Sequence, residues 1–295
     1  MLILNFQHRL YQVMGSKKTM QTKLLKVLIL FSVLHFAFGA HSEQTSDKQL
    51  KNDNADSVVA LTMENLSGNI DSRISGMKIL ANTIANDTHI QQWVDNGFAQ
   101  EEEVTLVNKL SYLVSEYGLT SASFANTKSN RYWNHEGFLR ILAPEIDTWY
   151  FAYLKSGEQD LISVYHDKNK KRVDLYVNYR QPNGNGLSGI ATSFNGVVKM
   201  LASSPLNKDG ELFIVDSEGK IQVHPDPNVT GKFTLQQLYS AEVARTLLTP
   251  KTVNYASLQA SKRVDSATVK EGYLVSSYIP SMNWFIVAHL KGELY

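Results

Sequence analysis

From Val59 onward, apolar residues recur three and four positions apart, through Met63, Leu66, Ile70, Ile74, Met77, Leu80 and Ile84. That spacing gathers them on one face of a 3.6-residue helix and predicts a single long amphipathic helix over about 55–86. Glu64, Asn65, Asn69, Asp71, Ser72, Arg73 and Lys78 fall on the opposite, solvated face. A stripe this long can pack on its own domain and, in its first half, on a second copy of itself, so a homodimer through this helix is a further expectation. A second helix is signalled by Val107, Leu110, Leu113, Val114 and Tyr117, with Gly118 as its C-cap.

Beyond Gly118 the period shortens to that of strands. Residues 120–125 and 131–135, joined by a polar turn, read as a hairpin. Residues 143–156 place Ile146, Trp149, Tyr150, Tyr153 and Leu154 at helical spacing, a short helix laid across something. Residues 161–166, 173–180 and 187–194 read as an antiparallel meander, closed by a brief helix over 195–201. The sequence of elements then begins again, with a hairpin over 211–216 and 221–224, a helix over 234–248, and strands over 272–279 and 284–290. Two successive hairpin, helix and meander units define an α+β chain with two small modules hung on one long helix. The expected divisions are 1–40, a leader over 41–57, the long helix over 58–86, a first module over 87–205 and a second over 206–295.

The first forty residues differ from the rest in charge. They hold Arg9, Lys17, Lys18, Lys23 and Lys26 and no acid, so the 29 basic residues less these five leave 24 against 28 acids. The remainder is mildly acidic, which is no balance for a nucleic-acid partner. The basic group runs into an apolar stretch of 14 residues, 27–40, broken by Ser32 and His35. That is short of the ~20 residues needed to span a bilayer, and Ala37-Phe38-Gly39 offers a small-x-small cleavage site. Residues 1–40 therefore read as a signal peptide for export to the periplasm, with an uncleaved N-terminal anchor in the inner membrane as the alternative.

The candidate chemistry is sparse. With no cysteine there is no disulfide, thiol nucleophile, thiolate-bound metal or iron–sulfur cluster. The 8 histidines are scattered, none three or four residues from another, and no metal site is expected. Glycine-rich phosphate loops and nucleophile elbows are missing, and His135 or His166 near Asp167 have no nucleophile at motif spacing. No catalytic residue and no cofactor is expected.

What stands out is an aromatic and polar concentration over 131–180. Period two along 173–179 puts Asp174, Tyr176 and Asn178 on one face and Val173, Leu175, Val177 and Tyr179 on the other. A polar strand face inside a meander meets either solvent or a pocket. Trp133, Asp147, Trp149, Tyr150, Tyr165, Asp174, Tyr176 and Asn178 are the expected lining of a pocket for a small polar or cationic molecule. Should that face meet water instead, the chain reads as an exported, non-catalytic interaction or dimerisation protein without a small ligand.

Residues 149–156 (Trp149-Tyr150-Phe151-Ala152-Tyr153-Leu154-Lys155-Ser156), the turn at Asp167, and Leu175-Tyr176-Val177-Asn178-Tyr179-Arg180 resemble the membrane-distal module of double Cache (dCache, PAS-like) sensor domains. The run from Gly210-Glu211-Leu212-Phe213 to His224-Pro225-Asp226-Pro227 and Gly231-Lys232 is similar to their membrane-proximal module. The resemblance covers about 50–295, and the chain is similar to such domains of vibrio-type GGDEF diguanylate cyclases and methyl-accepting chemotaxis receptors. It implies two tandem PAS-like modules, each an antiparallel sheet with flanking helices. It also implies sensing of a small molecule by the distal module, relayed through the long helix to a membrane-bound signalling partner. Two departures are visible. Asp147 stands where the amino-acid-binding members place an arginine for the ligand carboxylate, and an acid there is expected to favour an amine, or no charged ligand at all. The resemblance also implies a membrane helix and output domain beyond Tyr295, leaving open an isolated exported sensor or a shortened receptor.

Overall fold

In the computed structural model, which describes residues 56–167, 172–208, 210–226, 228–251, 253–258 and 272–291, the periodic stripe forms one helix, α1, over residues 56–85. The segment expected to direct export and most of the leader lie outside the described residues. Val59, Met63, Leu66, Ile70, Ile74, Met77 and Ile84 are all buried, and Leu80 packs beside them. Polar contacts fix the helix along its length. Ser67 Oγ lies 2.8 Å from Ser277 Oγ, Asp71 accepts the Ser281 N–H at 2.6 Å, Arg73 donates to Thr192 Oγ1 at 2.8 Å, and Lys78 pairs with Asp160 at 2.6 Å.

A short helix absent from the sequence expectation follows, α2 (Thr88–Asp95). Asp87 starts it by accepting the N–H groups of His89 and Ile90 at 2.9 and 3.1 Å, and it also pairs with Lys109. Next comes α3 (Gln100–Tyr117), with Glu101, Glu102 and Glu103 in its first turn, where they complement the helix dipole. It ends at Gly118, whose φ of 58° lies in the left-handed region that favours glycine.

The first module's sheet contains β1 (Ser121–Asn126), β2 (Arg131–Asn134), β3 (Gly137–Ile141), β4 (Asp160–Asp167), β5 (Arg172–Arg180) and β6 (Gly186–Ser193), in the order β3-β2-β1-β6-β5-β4 with antiparallel neighbours. Strand β3 was not expected from the sequence, because its exposed apolar residues follow no alternation. The crossing helix α4 is shorter than expected, Thr148–Ser156, since 144–146 form a turn before it. Helix α5 (Asn195–Ser203) closes the module.

The second sheet contains β7 (Gly210–Val215), β8 (Ile221–Val223), β9 (Val253–Leu258), β10 (Gly272–Ile279) and β11 (Trp284–Leu290), in the order β8-β7-β11-β10-β9. The single helix expected over 234–248 is two, α6 (Leu235–Leu238) and α7 (Ala241–Leu247). Each has its own side-chain cap, Thr234 on α6 and Ser240 on α7. Strand β9 was also missing from the sequence reading.

One core unites the helix with both sheets. Phe124, Trp133, Leu175, Val177 and Ile190 of the first sheet and Leu212, Ile214, Val275 and Ile286 of the second join the stripe of α1 in a single cluster. The apolar stripe is thereby used within the chain. The two sheets differ on their other faces. In the second module that face is filled by Phe213, Val215, Leu274, Phe285 and Val287 against Leu235, Leu238 and Leu247. In the first it carries small and polar residues.

Candidate functional site

Strand periodicity selects the residues of the first sheet's outer face. Ser121 and Ser123 of β1, Gly189 and Ala191 of β6, Tyr176 and Asn178 of β5, and Leu161 and Ser163 of β4 all point to it. The ladder arranges them in two rows: Ser121, Ala191, Tyr176 and Ser163 in one, Ser123, Gly189, Asn178 and Leu161 in the other. Helix α4 lies over these rows and turns Trp149, Ala152, Tyr153 and Ser156 toward them, at i, i+3, i+4 and i+7. Between helix and sheet is a cavity of about 760 Å³, closed further by Tyr132, Arg140 and Tyr165. Small residues on the floor create the space. A Cβ on Gly189 would stand 2.7 Å from Ser123 Oγ and 2.8 Å from Asn178 Oδ1.

Half of the residues expected to bind lie in the cavity wall. Trp149, Tyr165, Tyr176 and Asn178 line it. Trp149 and Tyr165 are 41% and 57% exposed, as rim residues are, whereas Asn178 is 4% exposed. The Asn178 side chain is buried among its neighbours and its amide faces the cavity. An amide placed there can donate to and accept from a ligand in the cavity.

The structure places the other four outside the wall. Trp133 points to the opposite face of β2, into the main core, with its ring 4.9 Å from Trp93 and 5.5 Å from Phe98. Its neighbour Tyr132 takes the cavity position; burial pushes that phenol pKa up, against a hydrogen bond to Ser123. Tyr150 is buried beneath α4, donates to Asn130 Oδ1 at 3.2 Å, and burial pushes its pKa up to about 12. Asp174 is buried one step along β5, in register with Tyr165 and Ser193.

Asp147 departs most from expectation. Its carboxylate is buried and accepts from Arg140 Nη2 at 2.5 Å and from the Ala143 N–H at 3.0 Å. The Arg140 hydrogen bond holds its pKa below the usual carboxylate range. The acid is thus committed to the guanidinium behind the rim, and Arg140 from the unexpected strand β3 is the charged side chain that lines the cavity.

Arg180 and Tyr153 hold the far end of α4. Arg180 donates to the carbonyls of Leu154 at 3.3 Å and Gly157 at 2.7 Å, and the Tyr153 hydroxyl donates to Gln159 O at 2.6 Å. The roof of the cavity is therefore pinned at both ends, by Arg140–Asp147 at its start and Arg180 at its finish.

A long helix bearing two successive antiparallel modules, the first with a cavity between sheet and crossing helix, is the double Cache ligand-binding fold. No protein-family model matches the sequence. Among solved structures, the chain is similar to the ligand-binding domain of the Pseudomonas aeruginosa PAO1 amino acid chemoreceptor PctC in complex with GABA. The two share 18% identity over 82% of this chain and 100% of that one, with a TM-score of 0.56. It is also similar to the extracellular domain of vpHK1S-Z8, assigned as a histidine kinase, at 14% identity over 81% and 96% with a TM-score of 0.60. A third likeness is to the ligand-binding domain of the Pseudomonas fluorescens chemoreceptor CtaA in complex with L-isoleucine, at 18% identity over 81% and 93% with a TM-score of 0.53. At these identities the likeness is one of fold.

Proposed function

We propose that the chain is an extracytoplasmic sensory domain that binds a small molecule in the first module. Its occupancy is relayed to a membrane-bound signalling output of the diguanylate cyclase or chemoreceptor type. The observation that carries this reading is the cavity between α4 and the first sheet, with aromatic side chains and the Asn178 amide in its wall. The ligand-binding domains that share the fold support it, two of them held with GABA and L-isoleucine. Helix α1 offers a mechanical route, since its stripe packs on both sheets. Among the described residues no helix is long and apolar enough to cross a membrane, so the proposed membrane partner would be reached through other segments or another protein. The role proposed is binding without catalysis.

A thermal-shift screen of the full chain against amino acids, amines, small carboxylates and nucleobases tests the proposal. A true ligand at a hundredfold excess over Kd adds about 2.7 kcal/mol of stability, a visible rise in Tm. Trp149→Ala and Asn178→Ala are each expected to remove most of that rise while leaving a folded protein. Stabilisation that survives both substitutions would place the binding site elsewhere.

A further inference from the structure

We infer that the cavity selects small molecules with one anionic end and an apolar body, and rejects free amino acids and amines. The inference rests on the proposed ligand-binding role of the same cavity and assigns its charge preference. Arg140 is the one charged side chain among the described residues of the wall. Its Nε and Nη2 face Asp147, while Nη1 makes no hydrogen bond among the described residues, leaving that edge of the guanidinium for a ligand. An anion there would extend the ion pair into a carboxylate–guanidinium–carboxylate row, a geometry that a planar, forked cation supports and an ammonium does not.

Among the described residues of the wall, a bound ammonium has no comparable partner. Asp147 is buried and used, and Asp174 lies outside the wall. An ammonium group would have to leave water for phenols, serine hydroxyls and one amide beside a guanidinium, which repels it. The tyrosine and tryptophan rings attract cations in general, but here they share the cavity with a fixed positive charge. Trp149, Tyr153, Tyr165 and Tyr176 instead supply flat apolar walls for a ring or a branched chain, and Asn178 a second polar contact. The sequence expectation of an amine, drawn from Asp147, is thereby reversed: the acid serves to orient the arginine.

Three probes with the same ring and different charge test this on the full chain: 3-phenylpropionate, L-phenylalanine and 2-phenylethylamine. Neutral 3-phenyl-1-propanol serves as the measure of ring binding alone. The expected result is a rise in Tm with 3-phenylpropionate, and binding by calorimetry at least about tenfold tighter than for the other three. The double variant Arg140→Gln/Asp147→Asn removes both charges and leaves no buried carboxylate unpaired; it should lower phenylpropionate affinity to that of the alcohol. Equal or tighter binding of the amine or the amino acid overturns the charge assignment but leaves the cavity as a binding site. Phenylpropionate binding undiminished in the double variant overturns the role of Arg140. If none of the four binds, the charge assignment fails, while the reading of the cavity as a ligand site is decided separately by the wider thermal-shift screen with Trp149→Ala and Asn178→Ala.

Discussion

Arg140 and Asp147 show how a residue's role depends on what it meets rather than on its position beside a motif. Asp147 precedes the Trp149-Tyr150 pair as a cavity acid would, yet its side chain is 2% exposed and that of Arg140 49% exposed, so the pair presents its cation. The pair also anchors the start of α4, and its stability contribution depends on pH in a fixed direction. Because the folded-state pKa of Asp147 is lowered from 3.8, the contribution is complete above the unfolded value and is lost as pH falls through the folded one. Asp147→Asn should therefore cost about 2 kcal/mol near neutral pH, by weakening a charge-assisted hydrogen bond at a half-exposed arginine. The gap from wild type should shrink in acid below about pH 4. Urea denaturation at pH 7 and pH 3 measures it; a gap of the same size at both values would show that the carboxylate charge is not its source.

Elements with a strong period were legible in the sequence, and those without one were not. The helix through Val59 and Ile84 and the strands over 272–279 and 284–290 coincide with the structure because apolar spacing alone determines which face is buried. Strand β3 was missed because Phe138, Leu139 and Ile141 are exposed at a sheet edge, where no core face selects alternate positions. Helix α2, 8 residues long and just beyond the end of the long pattern, was missed, though Asp87 as a cap could have revealed it. At the site, period two in β5 correctly separated Tyr176 and Asn178 from Leu175 and Val177. The same rule applied to β1 and β2 would have chosen Tyr132 over Trp133, since Phe124 pairs with Trp133 and Ala125 with Tyr132. Arg140 could not be found this way, because its place depends on an edge strand and a tertiary ion pair. The burial pattern of α1 makes its own prediction. Ile70, 1% exposed, should cost about 2–5 kcal/mol as Ile70→Ala, through lost burial and the cavity left behind. Ile79, on the same helix but 65% exposed, should change stability by less than about 0.5 kcal/mol as Ile79→Ala. Chemical denaturation of the two variants side by side checks the orientation of the helix.

For the molecule as a whole, the decisive feature is that α1 has no face reserved for one module. Its buried stripe belongs to a cluster that includes Leu175 and Ile190 of the first sheet and Ile214 and Ile286 of the second. A sensor whose modules shared only a flexible linker would unfold one module at a time and would transmit little from one to the other. Here the core that would be lost with either sheet is the core that holds the helix against the other. The tryptophans allow this coupling to be read. Trp93, Trp133 and Trp149 lie in the first module and Trp284 in the second. In a Trp284→Phe background the fluorescence reports on the first module alone. Adding Ile286→Ala, at a site 0% exposed in the second sheet, removes part of the packing against the shared cluster. The expected cost is about 2–5 kcal/mol. If the two modules melt as one cooperative unit, the fluorescence midpoint should fall by the same amount as the midpoint from far-ultraviolet circular dichroism. A fluorescence midpoint that stays at its starting value while the circular dichroism splits into two steps would show that the modules melt independently, and α1 would then lose its role as the relay.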